Sequence, residues 1–207
     1  MDLEKLRNNL SYQGMLLGGV ALLTAAALAL TDHVTEADIK AAQEQDLKQS
    51  LTQVLNVAYD NDVLKDTLTV ADAGGEATTV YRARKAGKVV AVVFQVQARG
   101  YAGPVVSTMG VDSMGKVLGV RVIKHSETPG LGDKVEPAKS DWIHSFENKW
   151  LGNPAADKWA VKKDGGVFDQ FAGATITPRA VVKSVKGGLE FFERNKAKLL
   201  DEAGGKQ

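Results

Sequence analysis

The ten residues Asp169–Pro178, with the sequence DQFAGATITP, decide how the C-terminal part of the chain folds. They form a segment of mostly small residues that precedes a strong helix start. Thr177 has the side-chain oxygen of an N-cap residue, and Pro178 suits the first helical position, where its missing N–H needs no partner. Residues 179–200 then carry apolar side chains at helical spacing. The sequence therefore predicts a turn of small residues, an N-cap at Thr177 and a long C-terminal helix.

Thr175 carries the hydroxyl group at the core of this segment, since Ala172, Gly173 and Ala174 have none. It lies immediately before the predicted helix start. A phosphate that is held by Thr175, or esterified to it, faces free backbone N–H groups and the positive end of the helix dipole. The segment is therefore a candidate phosphate site.

The same residues resemble a known modification motif. Asp-x-x-Ser/Thr-Gly-Ala-Thr is the signature at which flavin transferases attach FMN to a threonine through a phosphoester. The segment resembles that of the G-subunit family of the Rnf ion-translocating electron-transport complex, and of the homologous C-subunit family of the sodium-pumping NADH:quinone oxidoreductase. Ala172 stands where the commonest form has Ser or Thr, but it is not the attachment position. The resemblance implies one covalent FMN per chain on Thr175, with further cofactor-binding residues at Asp169, Gly173, Ala174 and Thr177.

A second loop, residues 125–132 (HSETPGLG), follows a predicted strand. Two glycines and a proline make it a tight loop whose backbone can approach a flat ligand. The family has a similar E-T-P-G-L-G loop that contacts the isoalloxazine ring, and residues 100–104 resemble its G-Y-x-G-P turn. Plain packing is the alternative role of Tyr101, and His125 is interpreted as a surface residue. The cofactor contacts that the resemblance implies here are Glu127, Thr128, Gly130, Leu131, Gly132 and Tyr101.

The composition excludes several classes of redox and binding protein. The chain has 207 residues, a formal net charge of +1 and no cysteine. Nucleic-acid binding usually needs a basic face and a high pI, so no nucleic-acid partner is expected. Cysteine-ligated iron–sulfur clusters and attached c-type haem are excluded. The three histidines have no metal-ligand spacing, so no metal site is predicted, and an electron carrier of this composition needs an organic cofactor such as a flavin.

Residues 14–31 contain no charged side chain and are long enough to span a bilayer as a helix. Lys5 and Arg7 precede this stretch, whereas the next Lys or Arg is Lys40. The positive-inside rule then predicts a cytoplasmic N-terminus, with a single pass through the inner membrane and a periplasmic main domain. A cleaved signal peptide is the alternative, because residues 27–29 (ALA) resemble a cleavage site.

The remaining pattern predicts an α+β fold, in which a single N-terminal transmembrane helix is followed by an antiparallel-sheet domain packed with helices. The resemblance implies that this is an FMN-binding domain. Valine-rich runs separated by glycine turns read as sequential strands. Three parts are expected: the cytoplasmic tip and transmembrane helix over 1–31, a connecting amphipathic helix over 32–60, and the extracytoplasmic domain over 61–207. The predicted strands are 80–85, 88–98, 105–111, 117–124 and 159–162, and the further helices are 36–59 and 137–148.

The leading hypothesis is an electron-transfer subunit that carries covalent FMN within a membrane complex. By resemblance, this complex passes electrons between NADH and ferredoxin and moves Na⁺ or H⁺, and a length near 200 residues favours the Rnf subunit. Its partners would be the other subunits of that complex, with a flavin transferase for maturation. No G-x-G-x-x-G motif follows a strand, so NADH binding is not expected. The alternatives are a membrane-anchored periplasmic module that binds a phosphorylated ligand noncovalently, and a structural adaptor of the complex.

Overall fold

A single long helix, α1, forms the N-terminal part of the chain over Leu10–Val54. The computed structural model describes residues 10–71, 75 and 77–201, and the chain divides into two compact units, Met1–Leu47 and Lys48–Gln207. The segment Leu10–Glu36 contains an 18-residue stretch with a mean hydropathy of 2.0 and is, by length and composition, able to cross a membrane. Lys5 and Arg7, on which the predicted orientation rests, lie outside the described residues.

The two predicted N-terminal helices are parts of this one helix. The prediction of a separate connecting helix that ends near Tyr59 is therefore wrong on both counts, since α1 continues without a break and ends at Val54. The reason is that no glycine or proline occurs between Val20 and Ala73, so nothing interrupts the helix where its composition changes from apolar to mixed.

A five-stranded antiparallel sheet forms the centre of the second unit. Its strands lie in chain order, and each pairs with the next, as expected for valine-rich runs joined by short turns. Residues 86–87 make the turn between the second and third strands, and both have positive φ. The four predicted sheet strands are confirmed, and the first strand was not predicted. The strands are β1 Thr67–Ala71, β2 Ala77–Lys85, β3 Lys88–Arg99, β4 Pro104–Asp112 and β5 Val117–Lys124.

The C-terminal helix α2, Ile176–Leu199, covers one face of the sheet. Its apolar side chains recur at helical spacing and are buried against the strands, where the Phe191 and Phe94 rings lie 5.2 Å apart. Gly188 allows a close approach, because a Cβ there would lie 2.7 Å from Met109 Sδ. The hydrophobic effect of this interface holds the start of α2 at one end of the sheet.

The end of α1 packs against β4 and β5 on the face of the sheet opposite α2. Leu51 and Val54 are buried, and Val54 lies over a pair of glycines, Gly110 and Gly119, which face each other across the two strands. A Cβ at Gly119 would lie 3.1 Å from Val54 Cα, and one at Gly110 would collide with Val54 O. The sheet is thus covered on both faces, which confirms the predicted α+β class.

Between β5 and α2 the chain forms short 3-10 helices and loops. The predicted helix over 137–148 is wrong in extent, because only Asp141–Phe146 is helical in that range. Two buried residues, Ile143 and Phe146, provide too little apolar surface to stabilise a longer helix. The predicted strand over 159–162 is also wrong, since Val161 makes an isolated bridge to Phe168. Aromatic packing holds this region, with the Phe146 and Phe168 rings stacked at 4.6 Å. The 3-10 helices are Gly132–Val135, Asp141–Phe146, Ala156–Lys158 and Lys162–Asp164.

Candidate functional site

Thr175, and not Thr177, is the residue at the N-cap of α2. The helix begins at Ile176, and Thr175 makes no side-chain capping hydrogen bond to any described residue. The predictions of an N-cap at Thr177 and of Pro178 in the first helical position are therefore wrong. Thr177 is fully buried in the first turn, where its hydroxyl donates to a side chain 50 residues away. The half-buried Thr175 keeps its hydroxyl group available at the start of the helix.

A tight turn presents Thr175. The N–H of Ala174 donates to the Phe171 carbonyl at 3.2 Å, and Gly173 has φ +78°. A positive φ at the third residue is what a type II turn requires, so glycine is the natural residue there. Trp142 fixes the start of this turn, because its ring packs on Phe171 at 5.1 Å and its Nε1 donates to the Asp169 carbonyl at 2.8 Å.

The 125–132 loop contains a second turn of the same kind. The Leu131 N–H donates to the Thr128 carbonyl at 3.1 Å, with Pro129 and Gly130 between them and Gly130 at φ +79°. Leu131 is 42% exposed, and its Cδ2 lies against the backbone of Gly173, where an added Cβ would be 3.4 Å away. The two motifs that the sequence singled out are therefore in contact.

The buried side chain of Glu127 connects these two motifs. It is only 7% exposed, and its Oε2 accepts a hydrogen bond of 2.5 Å from the Thr177 hydroxyl. Gly132 lies over this pair, because a Cβ there would be 2.6 Å from Glu127 Oε2 and 2.9 Å from Thr177 Oγ1. The buried carboxyl thus connects the loop to the first turn of α2, and a glycine is needed to leave room for it.

The same carboxyl reaches the turn between β3 and β4. Glu127 Oε1 accepts from the Ala102 N–H at 3.2 Å, and the Gly100 N–H donates to the Gly103 carbonyl at 2.7 Å. Tyr101, at the tip of this turn, is 73% exposed. One side chain therefore positions three segments that lie far apart in the sequence.

Two charged groups near Thr175 in the sequence, the predicted Asp169 and the neighbouring Arg179, are paired with other residues. The Asp169 carboxylate is exposed and pairs with Lys162 at 2.6 Å, so its contact within the described structure is with the preceding loop. Arg179 makes a two-pronged ion pair with Asp164, with both hydrogen bonds at 2.5 Å. The hydrogen bonds from Arg179 lower the pKa of Asp164 below its ordinary value, and they occupy the guanidinium.

Sequence reasoning did not find the partners that assemble the site. Glu127 was singled out as a cofactor contact, but its pairing with Thr177, 50 residues away, has no local signal. Trp142 is not among the predicted site residues, although its indole N–H donates to the Asp169 carbonyl. Both are long-range contacts, which appear only when the segments are packed together.

Comparison with known proteins identifies the class of this domain. The model of the FMN-binding domain family matches residues 100–190, which include the turn after β3, the Glu127 loop and the Thr175 motif. The model of the RnfG N-terminal region matches residues 1–54, which end where α1 ends. The first match places these three segments within an FMN-binding domain.

Individual relatives then identify the family. The G subunit of the ion-translocating oxidoreductase complex of Stutzerimonas stutzeri is 51% identical over 192 residues, which cover 92% of this chain and 84% of that one. The G subunit of Pseudomonas aeruginosa strain UCBPP-PA14 is 45% identical, with 96% and 97% of the two chains covered. The chain belongs to the G-subunit family of ion-translocating oxidoreductase complexes. The crystal structure of Shewanella oneidensis NqrC aligns with 72% of this chain and 73% of that chain, at 23% identity and a TM-score of 0.47.

Proposed function

We propose that this chain is the electron-transfer subunit of a membrane-bound ion-translocating oxidoreductase complex and that it carries one FMN, bound covalently to Thr175. The observation that carries the proposal is the contact between the Thr175 turn and the Glu127 loop, at Gly173 and Leu131 and through the Glu127–Thr177 hydrogen bond. The complex would couple electron transfer between NADH and ferredoxin to the movement of Na⁺ or H⁺.

The start of α2 suits a phosphoester. The N–H groups of Ile176 and Thr177 precede the first hydrogen bond of the helix, which runs from the Arg179 N–H to the Thr175 carbonyl. Such N–H groups have no acceptor one turn back, so they and the helix dipole favour an anion at this end. Pro178 has no N–H to offer. The available Thr175 hydroxyl therefore lies where a phosphate is stabilised without a lysine or arginine.

The surroundings suit a flat aromatic ring. Leu131, Ile176 and Tyr101 are 42%, 47% and 73% exposed, although each is apolar or aromatic. Gly130 leaves the backbone beside Leu131 open, since a Cβ there would meet nothing within 4 Å, so a planar ring can approach it closely. In this proposal, Glu127, Gly132, Thr177 and Ala174 fix the shape of the site, and Thr128 contributes a polar group at its edge. Asp169 contributes through its backbone carbonyl, which accepts from Trp142 at the start of the Thr175 turn.

The residues of the chain indicate which functions the protein performs and which the bound FMN performs. Bound FMN supplies the redox chemistry, since no cysteine is present and no described group of three or more His, Asp or Glu residues suits a metal ion. The protein holds the phosphate and excludes water from one side of the ring. No G-x-G-x-x-G motif is present, so electrons would come from and go to neighbouring subunits.

The attachment reaction requires a separate enzyme, and we expect the chain alone to remain unmodified. In the transfer from FAD, the Thr175 oxygen forms a new P–O bond, the pyrophosphate P–O bond breaks, AMP leaves and the hydroxyl proton is lost. Expression without a flavin transferase should give folded protein without flavin, and co-expression should give full labelling, as measured by intact mass and by fluorescence in a denaturing gel. Flavin that disappears on denaturation would instead indicate noncovalent binding, and labelled protein from the host without the enzyme would contradict this prediction.

The Gly130 turn provides a test of the ring contact. In Gly130→Val, a β-branched residue has to adopt a positive φ, which distorts the turn and moves Leu131. We expect a change in flavin absorbance or redox potential with attachment intact, because Thr175 is on a different segment. Gly87→Val is the matched control, since Gly87 has φ +80° and equally open surroundings in the β2–β3 turn. Identical spectra and potentials in both variants would remove the 127–132 loop from the ring site.

Helix α1 is proposed as a retained single-pass anchor in the inner membrane, with a cytoplasmic N-terminus and a periplasmic main domain. Small residues recur every three or four positions along it and form a seam that consists of Gly14, Gly18, Ala21, Ala25 and Ala29. Such seams allow transmembrane helices to approach closely. In the Gly18→Leu, Ala25→Leu double variant, insertion should be kept because hydrophobicity rises, whereas co-purification with the other membrane subunits from detergent should fall. Leu16→Ala, Leu23→Ala is the control, since both leucines are exposed on α1. Equal recovery of the partner subunits with all variants would show that the seam only faces lipid.

A further inference from the structure

An open groove of about 990 Å³ runs beside α2 in the FMN-binding domain. Its walls come from α2 and from the ends of β2 and β3, and it starts at Ile176 and Arg179, in the first turn of the helix. It continues along α2 as far as Arg194. At a rise of about 1.5 Å per residue, the helical wall is roughly 27 Å long. The groove therefore begins beside Thr175 and leads away from it.

The charged side chains in the described lining of this groove are all basic. Arg99, Arg179, Lys183 and Arg194 line it, and no aspartate or glutamate belongs to its described lining. Arg179 is paired with Asp164, but the other three have no ion-pair partner within residues 10–71, 75 and 77–201. Arg179 and Lys183 are also one helical turn apart, a spacing at which like charges destabilise a helix. Walls of a single charge raise the local concentration of ligands of the opposite charge.

The shape of the groove favours an extended chain over a small ion. On the helix side the groove is lined by Ala180, Ser184 and Gly187, and a Cβ at Gly187 would meet nothing within 4 Å. A single phosphate cannot reach the cations on α2, which are spread over roughly 22 Å from Arg179 to Arg194. About seven residues of a strand, at about 3.3 Å each, can. A flat membrane surface does not fill a concave groove.

We infer that this groove binds an acidic, extended segment of another polypeptide. The three cations without a partner, Arg99, Lys183 and Arg194, would pair with its carboxylates, and the small residues on α2 would leave room for its backbone. Because the groove starts in the first turn of α2, the bound segment lies next to Thr175. This interaction depends on charge and shape alone, so it does not require that Thr175 carries FMN.

Photo-crosslinking in membranes of the native host tests the inference. We would replace Gly187 with p-benzoylphenylalanine in the full-length chain, irradiate the membranes and identify the crosslinked peptide by mass spectrometry. The expected product is a peptide with a net negative charge from a different protein. The same replacement at Lys198, an exposed position near the end of α2 outside the groove lining, measures the background.

Charge reversal completes the test. The triple variant Arg99→Glu, Lys183→Glu, Arg194→Glu should reduce the crosslink yield at least tenfold. The matched variant Lys85→Glu, Lys88→Glu, Lys198→Glu changes the net charge equally outside the groove and should leave the yield unchanged. Thr175→Ala should also leave it unchanged, which separates this inference from the proposed flavin site. A crosslink to lipid, to a second copy of this chain or to a neutral or basic peptide would overturn the inference, as would a yield no higher than at Lys198 or an equal loss in both charge variants.

Discussion

Thr175→Ala is expected to abolish covalent flavin completely while the protein still folds. A phosphoester needs a hydroxyl oxygen, and the neighbouring Gly173 and Ala174 have none. The substitution should cost little stability, since Thr175 is half-buried and its side chain caps no N–H group of the helix. Intact mass and fluorescence in a denaturing gel report the attachment, and circular dichroism reports the fold.

The structure also predicts that no other threonine in the motif replaces Thr175. Thr177 is fully buried and donates its hydroxyl to Glu127 at 2.5 Å, so its oxygen is not presented to a modifying enzyme. Thr175→Ser keeps the nucleophilic group and should retain part of the labelling. Peptide mass spectrometry that places FMN on Thr177, in the natural chain or in Thr175→Ala, would contradict this assignment.

The sheet was predictable from the sequence because its signals are local. The strands β2 to β5 are valine-rich runs that glycine or polar turns separate, and each is long enough to show a pattern. β1 was missed because its five residues, TLTVA, contain one buried side chain, Val70, and pair only along one edge of the sheet. A strand this short is defined by its partner and not by its own periodicity.

The helix boundaries show where local signals are insufficient. Thr177 followed by Pro178 has the residue types of a helix start, yet the helix begins at Ile176 because the Thr177 hydroxyl donates to Glu127 instead of capping a backbone N–H. A tertiary hydrogen bond thus overrides a local preference. The predicted break after Thr31 failed for a different reason, since it relied on a change in composition without any helix breaker.

The sequence predicts which segments form the candidate site, but it does not predict the contacts between them. The Thr175 turn and the Glu127 loop each carry glycine and proline signals, and the structure brings them into contact. What the sequence does not show is that Glu127 lies beneath the site and connects it to Ala102 as well. Buried polar groups have to find hydrogen-bond partners, but the choice of partner depends on the packed fold.

The second large effect is expected at this buried connection. Thr177→Val nearly preserves the volume of the side chain but leaves Glu127 Oε2 without its donor in a site that is almost closed to water. An unsatisfied buried acceptor costs about 1–3 kcal/mol, so the free energy of unfolding of the full-length chain in detergent should fall by that amount. Thr69→Val is the matched control, because Thr69 is exposed on β1 and should change the stability by less than about 0.5 kcal/mol.

Glu127 should prove to be coupled to Thr177 in both stability and flavin attachment. Glu127→Ala removes the bonds to Thr177 and to Ala102 together, so the Glu127→Ala, Thr177→Val double variant should be less destabilised than the sum of the single variants. Flavin labelling by the transferase should fall in each single variant, since the first turn of α2 and the 127–132 loop lose their common support. Additive stability changes with normal labelling would show that the two motifs hold their positions independently and that the carboxyl does not organise the site.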